Sequence, residues 1–202
     1  MNSPKRSFQH PRWHMIKLVL LTSILLSGCA SMAIGGGATI GTATYQERGV
    51  QVAARDLSTK MRMRARLVTA GKDFVIGINV DVYEGRMLLT GTLPNKELQA
   101  QAVSMAWKID GVKDVINEIR TGNTNFLDLG KDTWITTQLH SKITFDKKIF
   151  AINYSIKTVN GIIYLIGIAQ NKAELDRVLR HTKTIGYVKK VINHVRIKKV
   201  IN

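Results

Sequence analysis

Apolar side chains recur every three to four residues in two stretches of the chain, residues 57–69 and 131–144. This spacing places them on one face of a helix, so each stretch predicts a helix with one buried face. Downstream of each stretch the apolar positions alternate, which is the period of a half-buried β-strand. The helical spacing is carried by Met63 and Leu67 in the first stretch and by Ile135, Leu139 and Ile143 in the second.

A two-residue turn divides each alternating segment. Glu84-Gly85 and Asn160-Gly161 both provide a glycine for a tight turn, and Asn-Gly is a strong β-hairpin signal. Asn95 and Asn171 then predict the N-caps of a second helix, with Glu174 placed as in a capping box.

A segment rich in β-branched residues closes each half, at residues 113–120 and 189–197. The predicted order of elements is therefore α-β-β-α-β, twice. Residues 56–120 align without a gap on 132–196, with 16 identities in 65 positions, so the chain contains a duplicated domain.

Each copy is predicted to be an α+β unit with a three-stranded mixed sheet packed against two helices. A unit this small buries little apolar surface, so we expect the copies to pack on each other, on a membrane or on a partner.

The N-terminal segment predicts export and lipid attachment. The apolar run Leu18–Leu26 has nine residues, too few at about 1.5 Å each to cross about 30 Å of hydrocarbon. It ends in Leu26-Ser27-Gly28-Cys29, which contains the only cysteine and resembles the lipobox of bacterial lipoprotein signal peptides. The resemblance implies cleavage before Cys29 and N-acyl and S-diacylglycerol groups on it. The sequence is compatible with a translation start at Met1 and with one at Met15.

Ala30 follows the cysteine, where Asp is typical of lipoproteins retained in the inner membrane. The resemblance therefore implies the outer membrane. A Gly-rich segment follows, and a flexible tether fits it better than a packing helix. The predicted division is a signal peptide at 1–28, the lipidated cysteine and tether at 29–49, a first domain at 50–121, a linker at 122–130 and a second domain at 131–202.

Basic charge is concentrated in the second half. Residues 45–127 carry 12 Lys/Arg and 9 Asp/Glu, whereas residues 128–202 carry 14 and 5, a net charge of +9. For an exported protein this charge indicates anionic lipid headgroups rather than nucleic acid. Arg62, Arg64 and Arg66 point in different directions on a helix, so they are expected to be solvated flanks.

The sequence contains no motif typical of nucleophilic, phosphate-binding or zinc catalysis. His140, His181 and His194 are too scattered for a metal motif, and a single cysteine excludes an intramolecular disulfide. We therefore expect neither an enzyme nor any cofactor beyond the lipid on Cys29.

Trp134 lies off the apolar stripe of its predicted helix, and its counterpart in the first copy is the polar Ser58. Tryptophan is favoured at the membrane interface because its ring is apolar and its N–H is polar. A tryptophan packed against the other copy is the alternative.

The order of elements and the ending Gly111–Asn117 resemble the BON domain. The segments Asn79–Arg86, Pro94–Leu98, Asn117–Arg120 and Asp132–Thr137 extend the resemblance to outer-membrane lipoproteins with two BON domains. It implies a lipid-anchored protein that faces the periplasm, supports envelope integrity and concentrates at division sites. It also implies binding of anionic phospholipids such as phosphatidylglycerol through the second domain, and association with the outer-membrane protein assembly machinery.

The same resemblance implies a lipid-binding surface on the first helix of the second copy, anchored by Trp134. Gln138 and His140 replace more basic residues, so weaker binding, or binding that depends on pH through His140, is expected. A periplasmic scaffold for the assembly machinery is the alternative function. The candidate phospholipid-binding residues are Lys131, Trp134, Gln138, His140, Lys142, Lys147 and Lys148.

Overall fold

The computed structural model describes residues 46–122 and 126–199, which belong to one compact unit. The predicted signal peptide, Cys29 and most of the tether lie outside these residues. The first copy contains α1 (Gly49–Ala70), α2 (Lys72–Gly77), β1 (Ile78–Tyr83), β2 (Arg86–Leu93), α3 (Lys96–Trp107) and β3 (Asp114–Thr121). The second contains α4 (Phe126–Phe145), a 3₁₀ turn (Ala151–Asn153), β4 (Tyr154–Val159), β5 (Ile162–Ala169), α5 (Lys172–Lys183) and β6 (Lys190–Ile197).

Each copy folds around a three-stranded mixed sheet. The central strand, β2 or β5, pairs antiparallel with the strand before it and parallel with the strand that closes the copy. The predicted α+β fold and order of elements are confirmed, with α2 as an additional short helix in the first copy.

The first helix of each copy is longer than its apolar pattern. α1 begins at Gly49, and α4 begins at Phe126, inside the segment predicted as a linker. Only the turns that lie over the sheet need apolar side chains every three to four residues. Residues 129 and 130, which are exposed and precede the predicted start at 131, carry no such pattern, so the sequence did not indicate this part of the helix.

A buried aspartate from the first helix holds each hairpin turn. The Asp56 carboxylate accepts hydrogen bonds from both backbone N–H groups of Glu84-Gly85, at 2.7 and 2.9 Å. Asp132 accepts the equivalent bonds from Asn160-Gly161, at 2.6 and 2.7 Å. All four turn residues have positive φ, which a type I′ turn requires, so both predicted two-residue hairpins are present. The identity of Asp56 and Asp132 in the repeat is thereby explained.

The predicted N-caps are present. The side-chain oxygens of Asn95 and Asn171 accept from the backbone N–H groups of Leu98 and Glu174, both at 2.9 Å. The Glu174 carboxylate does not return to the Asn171 N–H as in a capping box. It is buried and instead accepts from the N–H groups of Phe150 and Gln170, which fixes the segment between α4 and β4.

Both helices of a copy pack on the same face of its sheet. In each copy, side chains from the first helix, the second helix and alternate strand positions form one hydrophobic core. The largest contributors that are fully shielded from solvent are Met63, Met87, Leu89 and Leu93 in the first copy and Ile135, Leu139, Ile143, Ile163 and Leu165 in the second.

The opposite faces of the two sheets pack against each other. Leu88 and Tyr83 of the first copy join Tyr164, Ile166 and other side chains of the second in a third hydrophobic core, hereafter the inter-sheet core. The molecule therefore has four layers, with α1 and α3 outside one sheet and α4 and α5 outside the other. The sequence left three ways to cover each copy: the other copy, a membrane or a partner. In the structure the other copy covers the second face of each sheet.

Polar contacts surround the inter-sheet core. The guanidinium of Arg86 donates to the His194 carbonyl at 3.0 Å, and the His194 ring bonds the Glu118 carboxylate at 2.9 Å. Arg196 forms an ion pair with Glu84 across the same junction. Because these bonds are directional, they add specificity to an apolar contact that is not directional.

The buried aspartate that holds each hairpin turn, hereafter the hairpin clamp, makes a prediction about stability. Asp132→Asn replaces one acceptor oxygen with an amide group, which leaves a buried N–H of the turn without its bond. We expect the free energy of unfolding to fall by about 1–3 kcal/mol in a urea titration. Asp176→Asn is the control, because it removes only the exposed pair with Lys172 and should cost about 0.5 kcal/mol or less. Equal stabilities for the two variants would contradict the clamp.

The inter-sheet core predicts that the copies unfold together. Ile166 of the second copy is fully buried in the inter-sheet core, so Ile166→Ala leaves a cavity there. We expect the free energy of unfolding to fall by about 2–5 kcal/mol. In residues 42–202, which exclude Trp13, Trp107 reports on the first copy and Trp134 on the second, once the other is replaced by Phe. Both fluorescence midpoints should shift equally. A shift seen only by Trp134 would mean that the copies unfold independently.

Candidate functional site

The outward face of α4 presents an exposed aromatic side chain among lysines. At about 100° per residue, Lys131, Gln138, Lys142 and Phe145 lie within about 80° of Trp134 around the helix. Trp134 is 44% exposed and Phe145 is 83% exposed, so this face presents two aromatic rings to solvent beside its polar side chains. Because α4 packs on its sheet through the stripe of Ile135, Leu139 and Ile143, its outward face is available for another contact.

Trp134 forms an aromatic pair with a residue from the loop between α5 and β6. The ring centroids of Trp134 and Tyr187 are 5.9 Å apart and their planes meet at 75°, an edge-to-face arrangement. Tyr187 is 71% exposed, so the pair lies on the surface of the second copy. Trp134 is not part of the inter-sheet core, and its aromatic contact lies within its own copy.

The lysines of the outward face of α4, of the turn after it and of the loop before β6 are not neutralised by the described acidic residues. Among residues 46–122 and 126–199, no salt bridge involves Lys131, Lys142, Lys147, Lys148 or Lys189. Lys131, Lys147, Lys148 and Lys189 are exposed, and Lys142 is half-buried. The surface can therefore attract an anionic group.

The acidic residue nearest in sequence to Lys147 and Lys148 already bonds two other side chains. The Asp146 carboxylate bonds the His181 ring at 2.9 Å and the Arg177 guanidinium at 3.4 Å. The hydrogen bond from His181, then that from the Lys148 backbone N–H, lowers the pKa of Asp146 below its ordinary value. This cluster holds the end of α4 on α5 and orders the turn that carries the two lysines.

A small cavity lies beside the aromatic pair. It has a volume of about 240 Å³ and opens between α4, the Asn160-Gly161 turn and the loop before β6. Lys131, Tyr187 and Lys189 line it, together with Asp128. Asp132, on the same wall, already accepts two backbone hydrogen bonds. The cavity is too small for an acyl chain to enter fully, but its lysines can reach a phosphate at its mouth.

The candidate residues from the sequence fall into three places. Lys131, Trp134, Gln138 and Lys142 share the outward face of α4, and Lys147 and Lys148 lie in the turn after that helix. His140 lies about 120° around the helix from Trp134 and contacts Thr144, so it is not on this face. Cys29 lies outside the described residues.

Two exposed aromatic residues were missed in the sequence. Phe145 follows Trp134 by eleven residues, which is about three helical turns, so helical spacing alone could have placed it on the same face. Tyr187 aligns with Gly111 at the repeat offset of 76 residues, and that difference between the copies was the signal available for it.

The described residues contain no group of three or more His, Cys, Asp or Glu side chains arranged to hold a metal ion. Within the same part of the chain, no helix combines the length and the hydropathy needed to span a membrane.

The fold and the surface define a protein of two tandem α+β domains with a lysine-rich aromatic face on the second. The family model of the BON domain matches residues 56–123 and 131–199, more than half of the chain. The chain therefore belongs to the BON-domain family and contains two BON domains.

Three curated proteins are similar to this chain in sequence. Outer membrane lipoprotein DolP of Haemophilus influenzae is 30% identical over 185 residues, covering 88% of this chain and 92% of that protein. A protein of Anaplasma centrale, described as an uncharacterized protein in the gshII 5' region, is 39% identical over 123 residues, covering 60% and 82%. The 21 kDa hemolysin of Actinobacillus pleuropneumoniae is 35% identical over 125 residues, covering 59% and 63%.

Proposed function

We propose that this protein is an outer-membrane lipoprotein, acylated on Cys29, whose second BON domain binds anionic phospholipid through the outward face of α4. The similarity to outer membrane lipoprotein DolP over 88% of the chain supports the location. The lipobox-like sequence at Leu26–Cys29 supports the anchor.

The observation that carries the lipid assignment is the Trp134–Tyr187 pair exposed among unpaired lysines. An amphipathic aromatic ring is favoured at the depth of the lipid headgroups, where lysines reach phosphate. Each lysine near an anionic surface contributes about 1 kcal/mol, so several give useful attraction. Phosphatidylglycerol is the bacterial lipid we propose as the test ligand.

The proposed biological role is support of the cell envelope. A lipid-anchored protein moves within the membrane, and its second domain would hold it where anionic lipid is abundant. We propose that this selection concentrates the protein at such patches, division sites included.

A second candidate function is a scaffold for outer-membrane protein assembly. One observation favours it: the outer side of α1, in the first BON domain, exposes Leu57, Met61 and Val68, and these positions share one side of the helix. Protein-interaction surfaces are often apolar patches with polar borders. A scaffold of this kind would be indifferent to the lipid charge.

Trp134→Glu tests the lipid surface. In residues 42–202, which exclude the anchor, the change removes the ring and adds a charge that an anionic surface repels. We expect affinity for phosphatidylglycerol vesicles to fall roughly tenfold or more, about 1.4 kcal/mol, with an unchanged circular dichroism spectrum.

The matched control is Trp107→Glu, since Trp107 is 54% exposed on α3 of the first BON domain. It should bind like the wild type. Vesicles of phosphatidylcholine alone should bind the wild type and both variants only weakly. Equal binding of Trp134→Glu and wild type would refute the lipid surface, and binding that ignores lipid charge would favour the scaffold.

Cys29→Ser and Ala30→Asp test the anchor and its sorting. Cys29→Ser should abolish incorporation of labelled palmitate in cells, because the acylated thiol is gone. Ala30→Asp should keep the label but move the protein from the outer to the inner membrane in a density gradient. Labelling of Cys29→Ser at the wild-type level would show that this cysteine is not the acylated residue.

A further inference from the structure

Tyr187 has a backbone conformation that tyrosine rarely adopts. Its φ is +65°, in the left-handed region, and its counterpart in the first BON domain is Gly111, with φ of +90°. Glycine adopts such angles without the steric penalty that a side chain brings. A tyrosine kept in this conformation is a local strain that the surrounding fold has to hold in place.

Packing in the interior does not account for this tyrosine. Its side chain is 71% exposed, and its aromatic contact is the edge of Trp134, which is itself 44% exposed. Strained residues that contribute little to a core are frequent at binding sites. The strain therefore points to a role at the surface.

The two members of the aromatic pair differ from the first domain together. Ser58 and Gly111 of the first domain correspond to Trp134 and Tyr187 of the second. The backbone around both positions is otherwise repeated, because Asp56 and Asp132 clamp equivalent turns, and Lys113 and Lys189 donate equivalent bonds to Gly85 and Gly161. Both aromatic rings are thus additions to a shared framework.

Lys189 brings a positive charge to the same place. Its backbone N–H donates to the Gly161 carbonyl at 2.8 Å, and the carbons of its side chain pass over Gly161. Lys189 and Lys131 line the same cavity beside Tyr187, one from the loop and one from α4. The loop therefore carries the same two kinds of group, an aromatic ring and a lysine, that the helix carries.

We propose that the loop of residues 184–189 is a second lipid-binding element of the second BON domain. Tyr187 enters the headgroup region beside Trp134 and holds its ring edge-on, and Lys189 contacts the lipid phosphate. This inference rests on the proposed function, because it assumes that α4 faces a bilayer. Exposed rings on both elements favour a lipid headgroup over a soluble phosphate compound as the ligand.

The test uses residues 42–202, a compact unit that contains all three hydrophobic cores. Tyr187→Gly introduces the residue that the first domain has at this position, and it relieves the strained φ. We expect affinity for vesicles containing phosphatidylglycerol to fall about 2- to 10-fold, the range of an aromatic pair contribution. The thermal midpoint should not fall, because glycine accepts this conformation.

Tyr187→Phe is the conservative variant and should restore binding to within about twofold, since it keeps the ring. With Trp107 replaced by Phe, Trp134 is the single tryptophan of this unit. Its quenching by bromine-labelled acyl chains should decrease in Tyr187→Gly and recover in Tyr187→Phe.

Lys189→Gln and Lys113→Gln form a matched pair at equivalent positions of the two domains. Lys189→Gln should bind phosphatidylglycerol vesicles about fivefold more weakly, as for loss of one lysine near an anionic surface, and Lys113→Gln should bind like the wild type. Soluble glycerophosphate should not compete at concentrations equal to those of the lipid.

The outcomes separate the two proposals. If Trp134→Glu loses vesicle binding while Tyr187→Gly and Lys189→Gln retain it, α4 binds lipid alone and the loop has no part. If all three variants bind like the wild type, the proposed function itself is wrong. Efficient competition by glycerophosphate would identify a soluble anion as the ligand and overturn the lipid assignment of the loop.

Discussion

The contact between the two sheets is the constraint on which the other features depend. A three-stranded sheet has two faces, and two helices cover only one of them. In this protein the second face of each sheet is covered by the other copy, through Leu88, Tyr164, Ile166 and their neighbours. Burial there is deep enough that desolvation raises the pKa of Tyr83 to about 12. Both faces of each described sheet are thus largely covered, which leaves the helical layers, the loops and the sheet edges as the exposed surfaces.

The same contact separates the surfaces of the two domains. α1 and α3 lie outside one sheet and α4 and α5 outside the other, so the two helical layers face away from each other. A bilayer that contacts the outward face of α4 leaves the exposed side of α1 accessible to another partner. The lipid and scaffold functions therefore do not compete for one surface, and the fold accommodates both.

Duplication also explains why one domain can specialise. The elements needed for folding are repeated, as shown by the aspartate clamps, the turn glycines and the asparagine caps. A close approach is repeated as well: a Cβ on Gly167 would lie 2.0 Å from the Asn153 carbonyl oxygen, and one on Gly91 would lie 1.9 Å from that of Gly77. Exposed positions such as Ser58 and Trp134 are not under these constraints, so they differ between the copies.

Local features of the fold could be predicted from the sequence because their causes are local. A type I′ turn depends on its own two residues, and an N-cap depends on one side chain and the N–H three residues later. The packing of the sheets depends on residues far apart. The run of consecutive apolar residues Ile162–Ile166 is typical of a strand buried on both faces, but the prediction used only the alternation within it. Alternation alone was too weak a criterion for that strand. The short helix α2 has too few residues for a periodic pattern.

The site was predictable in part, for the same reason. Trp134 could be placed on the outside of its helix from spacing alone, whereas its partner Tyr187 comes from a loop 53 residues later and is joined to it only by the tertiary fold. His140 shows the opposite limitation. The family resemblance groups it with Trp134, but a separation of six residues places it about 120° away around the helix.

An acyl anchor changes what the second domain has to achieve. A domain tethered to a bilayer by a short flexible segment experiences lipid at an effective concentration in the millimolar range or above, so a contact with a millimolar dissociation constant is already substantially occupied. Two aromatic rings and a few unpaired lysines are enough for such a contact, and a large hydrophobic insertion is not needed. Weak binding also dissociates quickly, so an anchored protein could sample many lipid patches and spend longest where anionic headgroups are dense. Under the proposed function, the small exposed surface of α4 and its neighbouring loop would select a position in the membrane, while the proposed anchor would provide attachment.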